Sequence, residues 1–126
     1  MGELIDGVWH TGWRLGGSAK GAFERSKTTF RGRVAGVAAG RFHLYVAKAC
    51  PWAHRALITR ALRGLEHAVG VTVVDPHMGE DGWVFSADDP DPMGGKLLRD
   101  VYLRADPKCT GRVTVPVLWD REKGTI

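Results

Sequence analysis

At 126 residues, with 44% hydrophobic and 25% charged side chains, the chain has room for one small soluble domain and its core. No apolar run approaches the roughly 20 residues that span a bilayer. The opening Met1-Gly2-Glu3-Leu4-Ile5-Asp6 has neither the basic-then-apolar pattern of a secretory signal nor the Ser or Thr that myristoylation needs where Asp6 stands. Two cysteines make no disulfide framework, so the expected setting is cytoplasmic and reducing, with no membrane partner.

The net charge of +4 is uneven. Residues 1–69 hold eleven Lys/Arg against four Asp/Glu, and residues 70–126 hold seven against ten. The basic side chains are dispersed singly, as on a solvated surface, and no module that interleaves aromatic and basic residues for nucleic acid is visible. A small anionic ligand is the partner this charge suits best, and nucleic acid is not expected.

In chain order, residues 1–40 are rich in Gly, Ala, Arg and Lys, with no sustained period of 3.6 or 2. They read as an irregular N-terminal extension in which Trp9, Trp13, Phe23 and Phe30 can pin an arm onto a neighbouring surface. Organised structure is expected over 41–126. Phe42 to Val46 has strand composition. Trp52 to Leu65 carries apolar residues at helical spacing, weakened near its end by Gly64. Val69 to Val74 is a short apolar run typical of a buried parallel strand. Strand, helix, strand in this order predicts a crossover unit. Residues 75–95 hold six Asp or Glu among glycines and prolines and read as a long functional loop around Trp83. Lys96 to Ala105 has helical spacing. Arg112 to Asp120 reads as one strand entered through Pro116, and Arg121 to Gly124 as a turn.

Cys50 stands where the first strand hands over to the helix. Proline in the next position suits a first helical turn, so the cysteine is expected at a helix N-terminus. Unpaired amides and the helix dipole favour a thiolate there, the nucleophilic form of sulfur. An inert buried cysteine is the plainer alternative. His54, one turn further on, can tune that thiolate, pack, or face solvent. Cys109, in a Pro-Lys-Cys-Thr-Gly turn, reads as a bystander, although a resolving role is open to it. The spacing of Cys50, His54 and His43 does not converge on a zinc site, so no metal is expected. Pro116 within an apolar strand pattern removes a ladder donor, and a cis bond before it is expected.

Cys50-Pro51-Trp52-Ala53 after one strand, with Val115-Pro116 before another, resembles a thioredoxin-like glutathione-binding domain, an α/β fold. Further strings narrow the resemblance: Leu4 to Trp9, Arg41 to Val46, Ala49 to Arg55, Asp81-Gly82-Trp83, Ala105-Asp106-Pro107 and Gly111 to Asp120. Together and in order they are similar to the glutathionyl-hydroquinone reductases, or Xi-class glutathione transferases. The resemblance implies that Cys50 is the catalytic nucleophile. It also implies that Trp83 lies against glutathione, Arg112 pairs with one of its carboxylates, and the backbone at Val115 and Pro116 holds its cysteinyl part. Glutathione is the implied co-substrate and a glutathionyl-hydroquinone the implied substrate, and the full-length form is expected to be a homodimer. Ala53 stands where a dithiol motif would place a second cysteine, which fits a one-thiol mechanism.

The chain ends before the Glu-Ser pair and the all-helical C-terminal domain of that family. The expectation is therefore a thioredoxin-like domain lacking its last strand and helix, with an exposed strand edge and weak or no activity. The alternative function is a non-catalytic thioredoxin-like module that binds glutathione or a protein.

Overall fold

The computed structural model describes residues 2–12, 27–34, 36 and 38–126. Trp13 and Phe23 lie outside the described residues. Of the other two aromatics expected to anchor the N-terminal region, Trp9 packs against the hydrophobic core, and Phe30 meets Tyr102 edge-on with ring centroids 5.8 Å apart.

The first ten described residues are ordered, where irregular chain was expected. β1 (Gly2–Ile5) and β2 (Val8–Thr11) form an antiparallel hairpin pairing Leu4 with Trp9 and Ile5 with Val8. Asp6 and Gly7 form its turn with φ of 49° and 81°, the left-handed pair that a two-residue hairpin loop demands. The turn is docked as well as closed. The Gly7 N–H donates to the Cys109 carbonyl at 3.0 Å, and a Cβ at position 7 would collide with the Pro107 carbonyl. Leu4 is fully buried, so the hairpin shares the core with the rest of the chain.

The second sheet is built on β3 (Phe42–Val46), which is buried at every position. α1 (Pro51–Leu62) leads to β4 (Val69–Val73), and β4 lies parallel to β3 with Phe42 opposite Val69 and Val46 opposite Val73. α1 stops three residues before its expected end. Gly64 adopts a φ of 62° just past the last turn and ends it there. α2 (Leu98–Ala105) starts two residues later than its spacing predicts. The Asp100 carboxylate accepts hydrogen bonds from the Lys96 and Leu97 amides, each at 2.9 Å, and so caps the helix from inside its first turn.

The single strand expected over 112–120 is two strands in two sheets. β5 (Gly111–Arg112) pairs antiparallel with β1, placing Arg112 opposite Glu3, and β6 (Val117–Asp120) pairs antiparallel with β3. Between them Tyr102 takes the backbone that a neighbouring strand would hold. Its hydroxyl donates to the Thr114 carbonyl at 2.9 Å and accepts from the Thr114 N–H at 3.2 Å. The Val115–Pro116 bond is cis, as the sequence predicts. The strand orders are β2-β1-β5 and β4-β3-β6. Among the described residues the outer edge of β6 carries only the Asp120–Thr125 bridge.

The acidic loop 75–95 is stitched to this frame. The Asp91 carboxylate accepts from Tyr45 Oη at 2.7 Å, the Gly95 amide at 2.9 Å and the Met93 amide at 3.1 Å, and Arg104 stands 3.4 Å away. Asp89 accepts from the Val73 amide at 2.7 Å.

At the far end of β3 and β6, the Arg41 guanidinium donates to both Asp120 oxygens, and those bonds hold the Asp120 carboxyl down at about 2. His43 is buried beside them. Arg121 can only donate, so its contact with Nδ1 at 3.3 Å fixes the neutral tautomer in which Nε2–H donates to Thr72 Oγ1 at 2.9 Å. Burial lowers the His43 pKa, Arg121 lowers it further, and Asp91 and Asp89 oppose the shift. Both depressed groups contribute stability above their unfolded values and lose it as the pH falls. Urea midpoints are therefore expected to decline first below about pH 6.5, for histidine, and again between about pH 4 and 2, for Asp120. Asp120→Asn should be less stable than the parent at pH 6, and the two should converge toward pH 2.

Candidate functional site

β3 ends against a turn in which the Cys50 amide donates to the Ala47 carbonyl at 3.0 Å. The chain at Cys50 is still extended, with φ −95° and ψ 117°, and Pro51 occupies the first helical position of α1. Cys50 is thus the N-cap residue. The His54 N–H donates to its carbonyl at 3.0 Å to begin the helix, and no carboxylate stands in the first turn to compete for the amide end. Cys50 is half-buried, and its thiol donates to the Val115 carbonyl at 3.5 Å. That contact places the thiol beside the cis Val115–Pro116 bond, 65 residues away in sequence.

A cleft of about 670 Å³ opens over this pair, within the ordinary range for small-molecule sites. Cys50, Trp83, Arg112, Val115 and Pro116 all line it, so the fold brings together on one cavity five residues drawn from four parts of the chain. Trp83 comes from the 75–95 loop and is half-buried. Arg112 comes from β5 and Cys50 from the start of α1. Three cations, Lys27, Arg55 and Arg112, face the cleft, and no Asp or Glu is among its described lining residues. A ligand bearing carboxylates fits this set, because arginine matches a carboxylate with two parallel donors.

His54 is not brought in. It is exposed on α1 and does not line the cleft, because the helix turns its Ala53, Ala56 and Leu57 side toward the core. Cys109 does line the cleft but is only 2% exposed. Burial, and then Asp106, push its thiol pKa up, which disfavours the nucleophilic form.

The sequence reading missed part of the wall. Phe30 and Tyr102 face the cavity, as do Trp52 and Arg55. Apolar residues at positions 98, 101 and 102 of a helix signal a core face, and nothing local marks Tyr102 as reaching a cleft. Among the described residues there is no group of three or more His, Cys, Asp or Glu that could hold a metal. No described helix is long and apolar enough to cross a membrane.

This combination of an N-cap cysteine, a cis proline beside it and a parallel strand–helix–strand unit defines a thioredoxin-like domain of the glutathione-transferase type. The family described as "Glutathione S-transferase, N-terminal domain" matches residues 49–126, and the chain belongs to it. The chain is 46% identical to the glutathionyl-hydroquinone reductase YqjG of Escherichia coli over 144 aligned positions, covering all of this chain and 44% of that protein. It is 50% identical to the glutathionyl-hydroquinone reductase PcpF of Sphingobium chlorophenolicum, covering all of this chain and 42% of that protein. The solved Xi-class transferase from Natrialba magadii superposes with a TM-score of 0.79 at 44% identity, over 99% of this chain and 40% of that one. The glutathione-bound structure of YqjG superposes with a TM-score of 0.74 at 46% identity, over 97% of this chain and 40% of that one. The chain spans less than half the length of the relatives it matches.

Proposed function

We propose that this domain binds glutathione and reduces glutathionyl-hydroquinones through a mixed disulfide on Cys50. The observation that carries the reading is the half-buried Cys50 thiol, lying 3.5 Å from the Val115 carbonyl in a cation-lined cleft it shares with Trp83 and Arg112. Relatives named as glutathionyl-hydroquinone reductases, one of them solved with glutathione bound, support the same substrate class.

In the reaction, Cys50 as thiolate attacks the sulfur of the aryl thioether. The carbon–sulfur bond breaks, its electron pair passes to the ring carbon, and that carbon takes a proton as the hydroquinone leaves. The thiol–disulfide exchange is then completed by a second glutathione thiolate, which attacks the glutathione sulfur, frees Cys50 and departs as glutathione disulfide. The ring carbon gains two electrons while the thioether sulfur and the thiol of the second glutathione are joined as a disulfide, so no reductant beyond that glutathione is needed. Arg112 pairs with a glutathione carboxylate, Trp83 packs along the peptide, and the Val115 backbone holds the cysteinyl residue.

The test is incubation of the purified chain with a glutathionyl-hydroquinone and excess glutathione, with chromatographic detection of free hydroquinone. Release dependent on protein supports the reading. Folded protein that binds glutathione but releases no hydroquinone would leave a glutathione-binding module without turnover.

A further inference from the structure

The turn that precedes Trp83 is held from outside the cleft by two residues with no part in the chemistry above. Residues 79–82 form a tight turn, closed by Gly82 N–H to the Gly79 carbonyl at 3.1 Å. Glu80 and Asp81 are at its centre, and each is gripped by a different element. From β2, the Trp9 indole N–H donates to the Glu80 carbonyl at 3.1 Å. From α2, Arg99 donates to the Asp81 carbonyl at 3.3 Å and to its carboxylate at 3.0 Å. The two grips are joined, because the Arg99 guanidinium stacks 4.8 Å above the Trp9 ring. Space for the indole comes from two glycines. A Cβ at Gly82 would lie 3.0 Å from the ring, and one at Gly2 would lie 2.5 Å from it.

On its far side Trp83 is fixed by α2, whose Leu98 N–H donates to the Trp83 carbonyl at 2.9 Å. The indole of Trp83 therefore projects into the cleft from a short backbone span clamped at both ends. An exposed ion pair alone contributes little to such a clamp, but here it is combined with a stacked cation and two backbone carbonyls.

We propose that Trp9 and Arg99 are positioning residues that, through the Glu80–Asp81 turn, set the Trp83 indole at the angle on which a glutathione peptide packs. The proposal rests on the cleft being a glutathione site, and the N-terminal hairpin then belongs to the site's scaffold. It ties Trp83 through Trp9 and Arg112 through the β1–β5 pairing.

The test uses the full chain labelled with 5-fluorotryptophan, the Trp83 resonance being assigned with Trp83→Phe. Trp9→Phe keeps a ring under Arg99 but deletes the N–H donor, and Arg99→Ala removes both the stack and the grip on Asp81. Val8→Ser, at a residue 59% exposed on the same strand, is the control. The fluorine resonance of Trp83 is expected to move or split in Trp9→Phe and Arg99→Ala and to stay in place in Val8→Ser. In the same two variants S-methylglutathione should bind about tenfold more weakly, the loss expected from one net hydrogen bond. Should Arg99→Ala fail to fold, Arg99→Lys, which keeps the charge and loses the fork, takes its place. A Trp83 resonance that coincides with the parent's in both clamp variants overturns the proposal, as does a displaced resonance with unchanged affinity. If the parent itself takes up no S-methylglutathione, the functional reading fails separately, and the fluorine spectra still decide whether Trp9 and Arg99 position Trp83.

Discussion

Replacing Cys50 by serine is expected to abolish hydroquinone release while leaving glutathione binding within a few fold of the parent. Serine keeps the size of the side chain and its place at the start of α1, so the cleft walls at Trp83, Arg112 and Val115 are unchanged. What it removes is a sulfur able to form the mixed disulfide, and a serine hydroxyl is a weak nucleophile at neutral pH. The expected fall in turnover is at least about 10³-fold, as when a covalent nucleophile is deleted elsewhere. Cys109→Ser is the matched control and should leave turnover in place, because that thiol is buried and its pKa is pushed up. Steady-state rates and calorimetric titration on the two variants check both halves of the expectation. Loss of turnover in the Cys109 variant with retention in the Cys50 variant would reverse the assignment.

The second large effect concerns the frame. Asp91→Ala is expected to destabilise the fold by about 3 kcal/mol, the lower end of the cost of removing one partner from a buried charge pair. The Asp91 side chain is fully buried, and four groups converge on it: Tyr45 Oη, the Met93 and Gly95 amides, and Arg104. Removing the carboxylate leaves the tyrosine hydroxyl and two amides without their acceptor in the interior. Tyr45→Phe removes one of these bonds and leaves the carboxylate its other three partners, so it should cost only about 1 kcal/mol. Urea denaturation followed by tryptophan fluorescence distinguishes the two, with the larger shift in midpoint expected for Asp91→Ala. Equal shifts would show that the carboxylate is not the centre of the network.

Local chemistry made much of this molecule legible from its residues. The Cys50-Pro51 junction, β3, β4 and the cis bond before Pro116 each follow from what their own few residues can do: start a helix, fill a buried strand, or withhold a ladder donor. The five residues that the resemblance assigned to the site share one cleft for the same reason, since strand ends and a cis proline converge by construction of the fold.

Other features were decided at a distance. The division of residues 112–120 between two sheets depends on Tyr102 holding Thr114, a contact from another helix that no pattern in the strand itself records. The clamp on the Trp83 turn depends on Trp9 and Arg99, 74 and 16 positions away by number. The N-terminal hairpin has a local signal of its own. Asp6-Gly7 between Leu4-Ile5 and Val8-Trp9 is a strong two-residue turn signal, masked by the glycine-rich composition that follows it. His54 is one helical turn from Cys50, and spacing alone left tuning, packing and solvent exposure open to it; the rotation of α1 leaves the imidazole exposed and outside the cleft.

The central claim is that one sulfur, at Cys50, exchanges with glutathione. A single-turnover reaction of the parent chain with a stoichiometric glutathionyl-hydroquinone and no free glutathione, acid-quenched and digested, tests it by peptide mass spectrometry. The account predicts glutathione attached to the peptide bearing Cys50, released by added thiol, with the Cys109 peptide unmodified. Hydroquinone appearing while Cys50 stays unmodified, or the adduct residing on Cys109, would contradict it.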